Sequence, residues 1–290
     1  MHAENAINLS GNTMPEHEGY HESTFVKAVT HWWESKKKNS KGIGNSQGAG
    51  RDGNLAGNTM DGFREVIIEH LLAGGVARED IHSGGQFAAI PANLPSYFRA
   101  SKNWDVVVCK NSLFKSAGGN LFGEPAAPKL IAAIEFKSQQ DSIGNNQNNR
   151  IEESIGNATD FWASYENKNF IHLTPRPWLG YLFVGKYEDE QVGKSVEIKQ
   201  PHFPSDPVFA GGNPEASQSA IKFQGPSYAE RYRIFLERMI AKKYYDGACF
   251  ITSNERIAVD PENYRCFYPA LSGAAFIDGL LRHIRAYYPD

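Results

Sequence analysis

Apolar residues recur along the chain with two kinds of spacing, and these separate predicted helices from predicted strands. Spacings of three and four residues indicate amphipathic helices, at residues 25–38, 60–72, 152–165, 228–245 and 274–287. Short apolar runs rich in β-branched residues indicate strands, at residues 105–109, 130–136, 178–184 and 248–252. Because strands and helices alternate in the second half, we expect a mixed central β-sheet flanked by helices on both faces.

Three stretches lack this patterning and are predicted to be irregular. Residues 1–22 should be loosely ordered, and residues 39–58, rich in Gly, Asn and Ser, should form a flexible loop. Residues 200–226, rich in Pro, Gly and Ser, should form a long irregular excursion. Since neither a linker nor an internal repeat is visible, the sequence predicts one domain over residues 1–290.

Composition narrows the class of protein. With 41% hydrophobic, 22% charged and 12% aromatic residues, the chain is typical of globular proteins. It has no run of about eighteen apolar residues that would cross a membrane, and its N-terminus lacks the basic and apolar segments of a signal peptide. We therefore expect a cytoplasmic protein with no membrane association. Three cysteines, an odd number without a CxxC pair, argue against a disulfide framework or a zinc site.

The net charge of −3 argues mildly against a nucleic-acid-binding protein, but local charge matters more than the total. The predicted helix at residues 228–245 carries five Lys or Arg and two Glu, which gives +3. This charge fits a solvated helix face and a phosphate-facing one equally well.

The most informative chemistry lies between residues 103 and 139. Glu135 and Lys137 end an apolar strand, and residues i and i+2 of a strand project to the same face, so Phe136 should point into the core. Charges at such a position are costly unless they are paired or bind a cation. Asp105 opens another strand and would supply a second carboxylate.

Two carboxylates suit Mg²⁺, which keeps several waters and binds phosphate with its remaining positions. Such an ion polarises a phosphoryl oxygen and activates bound water, while Lys137 could orient the water and stabilise developing charge. The same residues also fit a structural Glu–Lys pair at a sheet edge. Asp80 and Asp61 remain alternatives to Asp105, and Glu65 or Asp61 could assist the metal.

A longer pattern around these residues resembles the XhoI family of type II restriction endonucleases. The resemblance rests on EFKSQ at 135–139, GNNQNNRIEE at 144–153, GNATDFW at 156–162 and PWLGY at 177–181, with a weaker match at MDGF, residues 60–63. It is strongest over residues 135–181 and extends weakly over most of the chain.

This resemblance implies a restriction-endonuclease-like core of the PD-(D/E)xK kind, with the catalytic motif carried by Asp105, Glu135 and Lys137. It also implies a homodimer that cleaves both strands of palindromic duplex DNA with Mg²⁺, at CTCGAG, leaving four-base 5′ overhangs. A cognate DNA methyltransferase is expected in the same system. Trp104, and not proline, precedes Asp105, which departs from the motif.

Candidate DNA-binding residues follow the catalytic strand. Paired donors and acceptors of Asn, Arg and acidic side chains can read base edges. The candidates in this stretch are Ser138, Gln139, Asn145, Asn146, Asn148, Asn149, Arg150 and Glu153. A polar loop with an asparagine capping the next helix is the alternative interpretation.

Three other functions remain open from the sequence. A repair or junction-resolving nuclease of the same core would cut by DNA structure, and a catalytically silent DNA-binding protein would keep the fold. An unrelated α/β enzyme is disfavoured because no glycine-rich phosphate motif follows a strand.

Overall fold

The computed structural model describes residues 16–42, 59–84, 92–110, 129–139, 143–186, 195–198, 223–257, 260, 263–266 and 268–289. The three stretches predicted to be irregular lie largely outside these residues. Where they overlap with them, the structure differs from the prediction: residues 16–22 and 39–42 belong to a helix, and residues 223–226 belong to a strand.

The described elements comprise helices, strands and two short 3₁₀ turns. The helices are α1 (Glu16–Gly42), α2 (Asp61–Ala73), α3 (Ile143–Glu166), α4 (Tyr228–Ala241) and α5 (Gly273–Ile284). The strands are β1 (Ile81–Ser83), β2 (Asn93–Pro95), β3 (Ser101–Asn103), β4 (Val106–Lys110), β5 (Lys129–Gln139), β6 (Trp178–Lys186), β7 (Ser195–Ile198), β8 (Phe223–Ser227), β9 (Gly247–Ser253) and β10 (Tyr264–Arg265).

The central sheet has six strands in the order β1-β4-β5-β6-β9-β10. β5, β6 and β9 run parallel, whereas β1, β4 and β10 are antiparallel to their neighbours. Two further pairs, β2-β3 and β7-β8, form separate antiparallel hairpins. α3 makes the crossover from β5 to β6, which parallel neighbours require. The predicted mixed sheet is therefore confirmed.

The two faces of the sheet build two hydrophobic cores. α1, α2 and α5 cover one face, where they pack against alternate residues such as Ile134 and Phe136. α3 and α4 cover the other face, over Ala133, Tyr181 and Phe183. Because Phe136 belongs to the first core, Glu135 and Lys137 point to the face of α3, as the strand period predicts. Helices therefore lie on both faces, as predicted.

The structure differs from the prediction in the bounds of the helices and in the short strands that the prediction lacked. α3 begins at Ile143, nine residues before the predicted start at 152, so the asparagine-rich segment is helical and not a loop. Gln147 is buried there, and its side-chain Nε2 donates to the carbonyl oxygen of Tyr228 at 3.0 Å. This tertiary contact outweighs the weak helix propensity of asparagine.

Among the described helices, none is long and apolar enough to cross a membrane.

The packing of β6 gives a stability prediction at Gly180. A Cβ there would lie 2.3 Å from Cζ3 of Trp178 and 2.9 Å from Cζ of Phe276. Gly180→Ala is therefore expected to destabilise the fold by about 1–3 kcal/mol through overpacking, measured by urea denaturation. Gly156 on α3 is the matched control, since a Cβ there meets nothing within 4 Å, and Gly156→Ala should stabilise by about 1 kcal/mol. Equal effects of the two substitutions would contradict this packing.

Candidate active site

Glu135 lies on β5 with its carboxylate buried beneath α3; its side chain is only 3% exposed. The Lys137 ammonium lies 2.5 Å from Glu135 Oε1 and 2.8 Å from Glu153 Oε1 on α3. Lys137 thus bridges two carboxylates from different elements. Because β5 and α3 both supply a carboxylate, the Glu135–Lys137 pair lies inside the fold and not at a free sheet edge.

Asp105 lies immediately before β4, the antiparallel neighbour of β5, as expected. Its backbone N–H donates to Ile134 O at 3.0 Å, and its Oδ2 accepts from the Phe136 N–H at 2.7 Å. The carboxylate is therefore fixed against the backbone that links Glu135 to Lys137. The structure brings together all three residues of the predicted catalytic motif.

Sequence reasoning missed two cations of the site, Arg64 and Lys102. Arg64 on α2 donates through Nη2 to Asp105 Oδ1 at 2.7 Å and is also paired with Asp61. Lys102 on β3 places its Nζ 2.7 Å from Glu135 Oε2. Neither residue lies in a recognisable motif. The sequence offered a signal for Lys102 alone, since it precedes Asp105 by only three residues.

The pKa values of Asp105 and Lys137 are both raised, but for different reasons. Burial raises the pKa of Asp105, and the negative charge of Glu135 raises it further, while Arg64 only partly offsets both effects. Burial lowers the pKa of Lys137, but the carboxylates of Glu135 and Glu153 outweigh burial and raise it above its ordinary value. Lys137 therefore carries a positive charge, and the two facing acids repel one another.

The two acids fit a divalent cation. A cation between Asp105 and Glu135 would remove the repulsion that raises the pKa of Asp105. The described residues contain no larger cluster, of three or more His, Cys, Asp or Glu side chains, that could hold a metal ion. A metal ion here would therefore rely on the two carboxylates alone. Two carboxylates match Mg²⁺, which takes one or two carboxylates and completes its shell with water and phosphate.

The predicted accessory acids do not join this pair as ligands. Asp61 is 3% exposed and pairs with Arg64, so it reaches Asp105 only through that guanidinium. Glu65, on the next position of α2, is exposed to solvent. Asp80 is also remote from the motif, because it precedes Ile81, which pairs with Val108 toward the far end of β4. Its Oδ2 accepts from the hydroxyl of Tyr288 at 2.7 Å.

The candidate DNA-binding residues of α3 divide between helix faces. Helical spacing puts Asn146, Asn149, Arg150 and Glu153 on one face, and Glu153 ties this face to Lys137. Arg150 Nη1 donates to Glu153 Oε2 at 2.9 Å. Asn148 is exposed on the opposite face. The side chain of Asn145 lies outside the described residues.

The remaining two candidates, on β5, lie apart from this face. Ser138 points to the sheet face opposite Lys137 and is half-buried. Gln139 is 5% exposed, and its Oε1 accepts from the hydroxyl of Tyr232 at 2.9 Å. One residue that sequence reasoning did not single out, Asn157, extends the α3 face, since its Nδ2 lies 3.5 Å from Glu135 Oε1.

Comparisons with known proteins converge on one family. A family model described as restriction endonuclease XhoI matches residues 37–264. The type II restriction enzyme BstVI of Geobacillus stearothermophilus is 32% identical over 252 residues, 83% of this chain and 95% of that protein. AbrI of Azospirillum brasilense, also a type II restriction enzyme, is 35% identical over 168 residues, which cover 56% of this chain and 66% of AbrI.

The type II restriction enzyme XhoI of Xanthomonas vasicola is 32% identical over 201 residues, which cover 69% of this chain and 66% of that protein. No solved structure gives a significant match. The residues matched by the family model include Arg64, Lys102 and Asp105 as well as the motif on β5. The site described above therefore lies inside the matched region.

Proposed function

Since the chain belongs to the XhoI family of type II restriction endonucleases, we propose that it cleaves both strands of duplex DNA at CTCGAG with Mg²⁺, leaving four-base 5′ overhangs. Members of this class are site-specific deoxyribonucleases that act on double-stranded DNA and use a divalent metal ion. The observation that carries the proposal is the convergence of Asp105, Glu135 and Lys137 at one end of β4 and β5.

Asp105 and Glu135 would hold the metal ion, which supplies a Lewis acid for the phosphate and a more acidic water. Arg64 and the Phe136 N–H orient the Asp105 carboxylate. Lys137 keeps its proton, because Glu135 and Glu153 stabilise the ammonium. From this position it orients the attacking water and stabilises the charge that develops on the phosphate oxygens.

The α3 face next to Lys137 is the surface we assign to DNA. Asn146, Asn149 and Arg150 can pair with base edges or phosphates, and Glu153 holds Arg150 at the edge of the site. Ser138 and Gln139 would contact DNA only after a rearrangement of β5, whereas Asn148 is exposed and Asn145 stays a candidate from the sequence. A homodimer is proposed because two-fold symmetry matches a palindromic site, and a cognate methyltransferase is expected to protect the host DNA.

Digestion of a fully sequenced plasmid is the direct test of this function. With Mg²⁺ the full chain should yield discrete fragments whose sequenced ends are four-base 5′ overhangs within CTCGAG, and with EDTA it should yield none. Lys137→Met, at the same enzyme concentration, should give these fragments at least about 10²-fold more slowly. Discrete fragments with other ends would show that the enzyme class is right but that the recognition sequence is not CTCGAG.

Other outcomes of the digest would contradict more of the proposal. Cleavage restricted to branched or damaged DNA would favour a structure-specific nuclease of the same core. Tight duplex binding without cleavage, with Mg²⁺, Mn²⁺ and Co²⁺ all tried, would favour a silent DNA-binding protein.

A further inference from the structure

The two oxygens of the Glu135 carboxylate each face a lysine ammonium. Lys137 lies 2.5 Å from Oε1, and Lys102 lies 2.7 Å from Oε2. The family motif accounts for Lys137 but not for Lys102. A carboxylate neutralised on both oxygens is a poor ligand for a cation, because the metal must first displace one of the ammonium groups.

The Trp104 ring and the β2-β3 hairpin hold Lys102 in place. Its ammonium lies 4.6 Å from the ring centroid of Trp104, a cation–π contact. Its side chain is 11% exposed, so the charge is largely removed from water. Lys102 belongs to the hairpin formed by β2 and β3, where it pairs with Leu94. The ion pair with Glu135 therefore does not depend on a freely moving surface side chain.

The tip of the β2-β3 hairpin is tied to α3 through one buried carboxylate. Asp160 Oδ1 accepts from the N–H groups of Tyr97 and Phe98, both at 2.9 Å, and its Oδ2 accepts from Arg99 Nε at 2.8 Å. Arg99 Nη2 also donates to Asn157 Oδ1 at 3.2 Å, and Asn157 reaches Glu135. The hairpin, α3 and β5 thus converge on Glu135.

The two lysines differ in the carboxylate partners that they would keep if a metal ion bound Glu135. Lys137 keeps a second carboxylate, Glu153, at 2.8 Å. For Lys102 the structure gives Glu135 as its carboxylate partner, together with the Trp104 ring and a long 3.4 Å contact to the carbonyl oxygen of Asn103. A cation at Glu135 would therefore leave Lys137 beside Glu153 but take from Lys102 the carboxylate partner that the described residues give it.

We propose that Lys102 is a positioning residue that occupies Glu135 in the metal-free protein and must be displaced before a divalent cation can bind. Lys102 thereby lowers the affinity of the DNA-free enzyme for metal. DNA reverses this effect, because a phosphate near the site gives the displaced ammonium a new partner. Metal binding and DNA binding are then positively coupled. This inference rests on the proposed metal site at Asp105 and Glu135.

The test measures Mn²⁺ binding to the full chain without DNA, by calorimetry and by electron paramagnetic resonance of free Mn²⁺. If Lys102 occupies Glu135 about nine-tenths of the time, Lys102→Met should tighten Mn²⁺ binding about tenfold, because it removes the competing state. Lys102→Arg, which keeps the charge, should bind Mn²⁺ as the natural protein does. Thermal unfolding of each variant verifies that it is folded.

Lys110→Met is the matched control. Lys110 also lies over an aromatic ring, 4.3 Å from the centroid of Tyr288, but at the end of β4 remote from Asp105. Its replacement should leave Mn²⁺ affinity unchanged. Asp105→Asn tests the proposed site itself and should abolish the binding in both the natural and the Lys102→Met backgrounds.

The outcomes separate the two proposals. Binding that disappears in Asp105→Asn but is equal in Lys102→Met and the natural protein would overturn the role of Lys102 and leave the metal site standing. Binding that survives Asp105→Asn would overturn the metal site, and this inference with it. Undetectable binding in both the natural protein and Lys102→Met would also overturn the inference, because removing the competitor should expose the site.

Discussion

Lys137→Met should reduce the rate of DNA cleavage by at least about 10²–10³-fold, the range found when one preorganised charge-stabilising donor is removed. The duplex should still be bound, because Asn149 and Arg150 remain on α3 and Arg150 keeps its ion pair with Glu153. The loss is expected in the rate at saturating DNA, since Lys137 acts on charge that develops only in the transition state. Single-turnover cleavage and filter binding with Ca²⁺ measure the two quantities separately.

Lys129→Met is the control for that substitution. Lys129 opens β5, eight residues from Lys137 on the same strand, which corresponds to about 26 Å of extended chain. It is exposed, so its replacement should change neither cleavage nor stability. Cleavage by Lys137→Met at the natural rate would remove Lys137 from the active site. A parallel loss of cleavage and binding would instead make it a DNA contact.

Asp105→Asn should reduce Mg²⁺-dependent cleavage by about 10³-fold, which corresponds to roughly 4 kcal/mol of transition-state stabilisation. Asparagine keeps an oxygen that can accept from the Phe136 N–H but removes the charge that a metal ion needs. Divalent-cation binding should therefore be lost along with cleavage. The measurements are single-turnover rates over a Mg²⁺ titration and Mn²⁺ calorimetry.

Asp61→Asn is the informative comparison for Asp105→Asn. Both acids pair with Arg64, yet only Asp105 lies against β5. Asp61→Asn should leave metal affinity almost unchanged and lower cleavage less than tenfold, because Arg64 keeps its bond to Asp105. If Asp61→Asn abolished metal binding and Asp105→Asn did not, Asp61 would take the place of Asp105 as the first carboxylate of the motif.

Local patterns in the sequence determined the main strands and the identity of the reactive groups. The apolar runs predicted β4, β5, β6 and β9, because buried strands need continuous apolar residues. The period of two put Glu135 and Lys137 on one face and Phe136 on the other, as the structure confirms. The resemblance to the XhoI family, the fold class and the enzyme class are confirmed by the comparisons.

Short strands and the start of α3 could not be predicted from local patterns. Strands of two or three residues, such as β1, β3 and β10, are too short to show a period. Asparagine favours turns and helix caps, so residues 143–151 gave no helical signal. The buried Gln147 side chain donates to the carbonyl oxygen of Tyr228, 81 residues away, and this tertiary contact supports a helix there.

The arrangement of charge around the motif was decided by tertiary structure alone. Arg64 lies 41 residues before Asp105, and Lys102 lies 33 residues before Glu135, so no local spacing relates either pair. The antiparallel register of β4 and β5 sets Asp105 beside the Phe136 N–H, and the packing of α2 and the β2-β3 hairpin adds the two cations. Sequence specifies which side chains can carry charge, but Coulombic interaction depends on distance and burial, and only the folded chain fixes these.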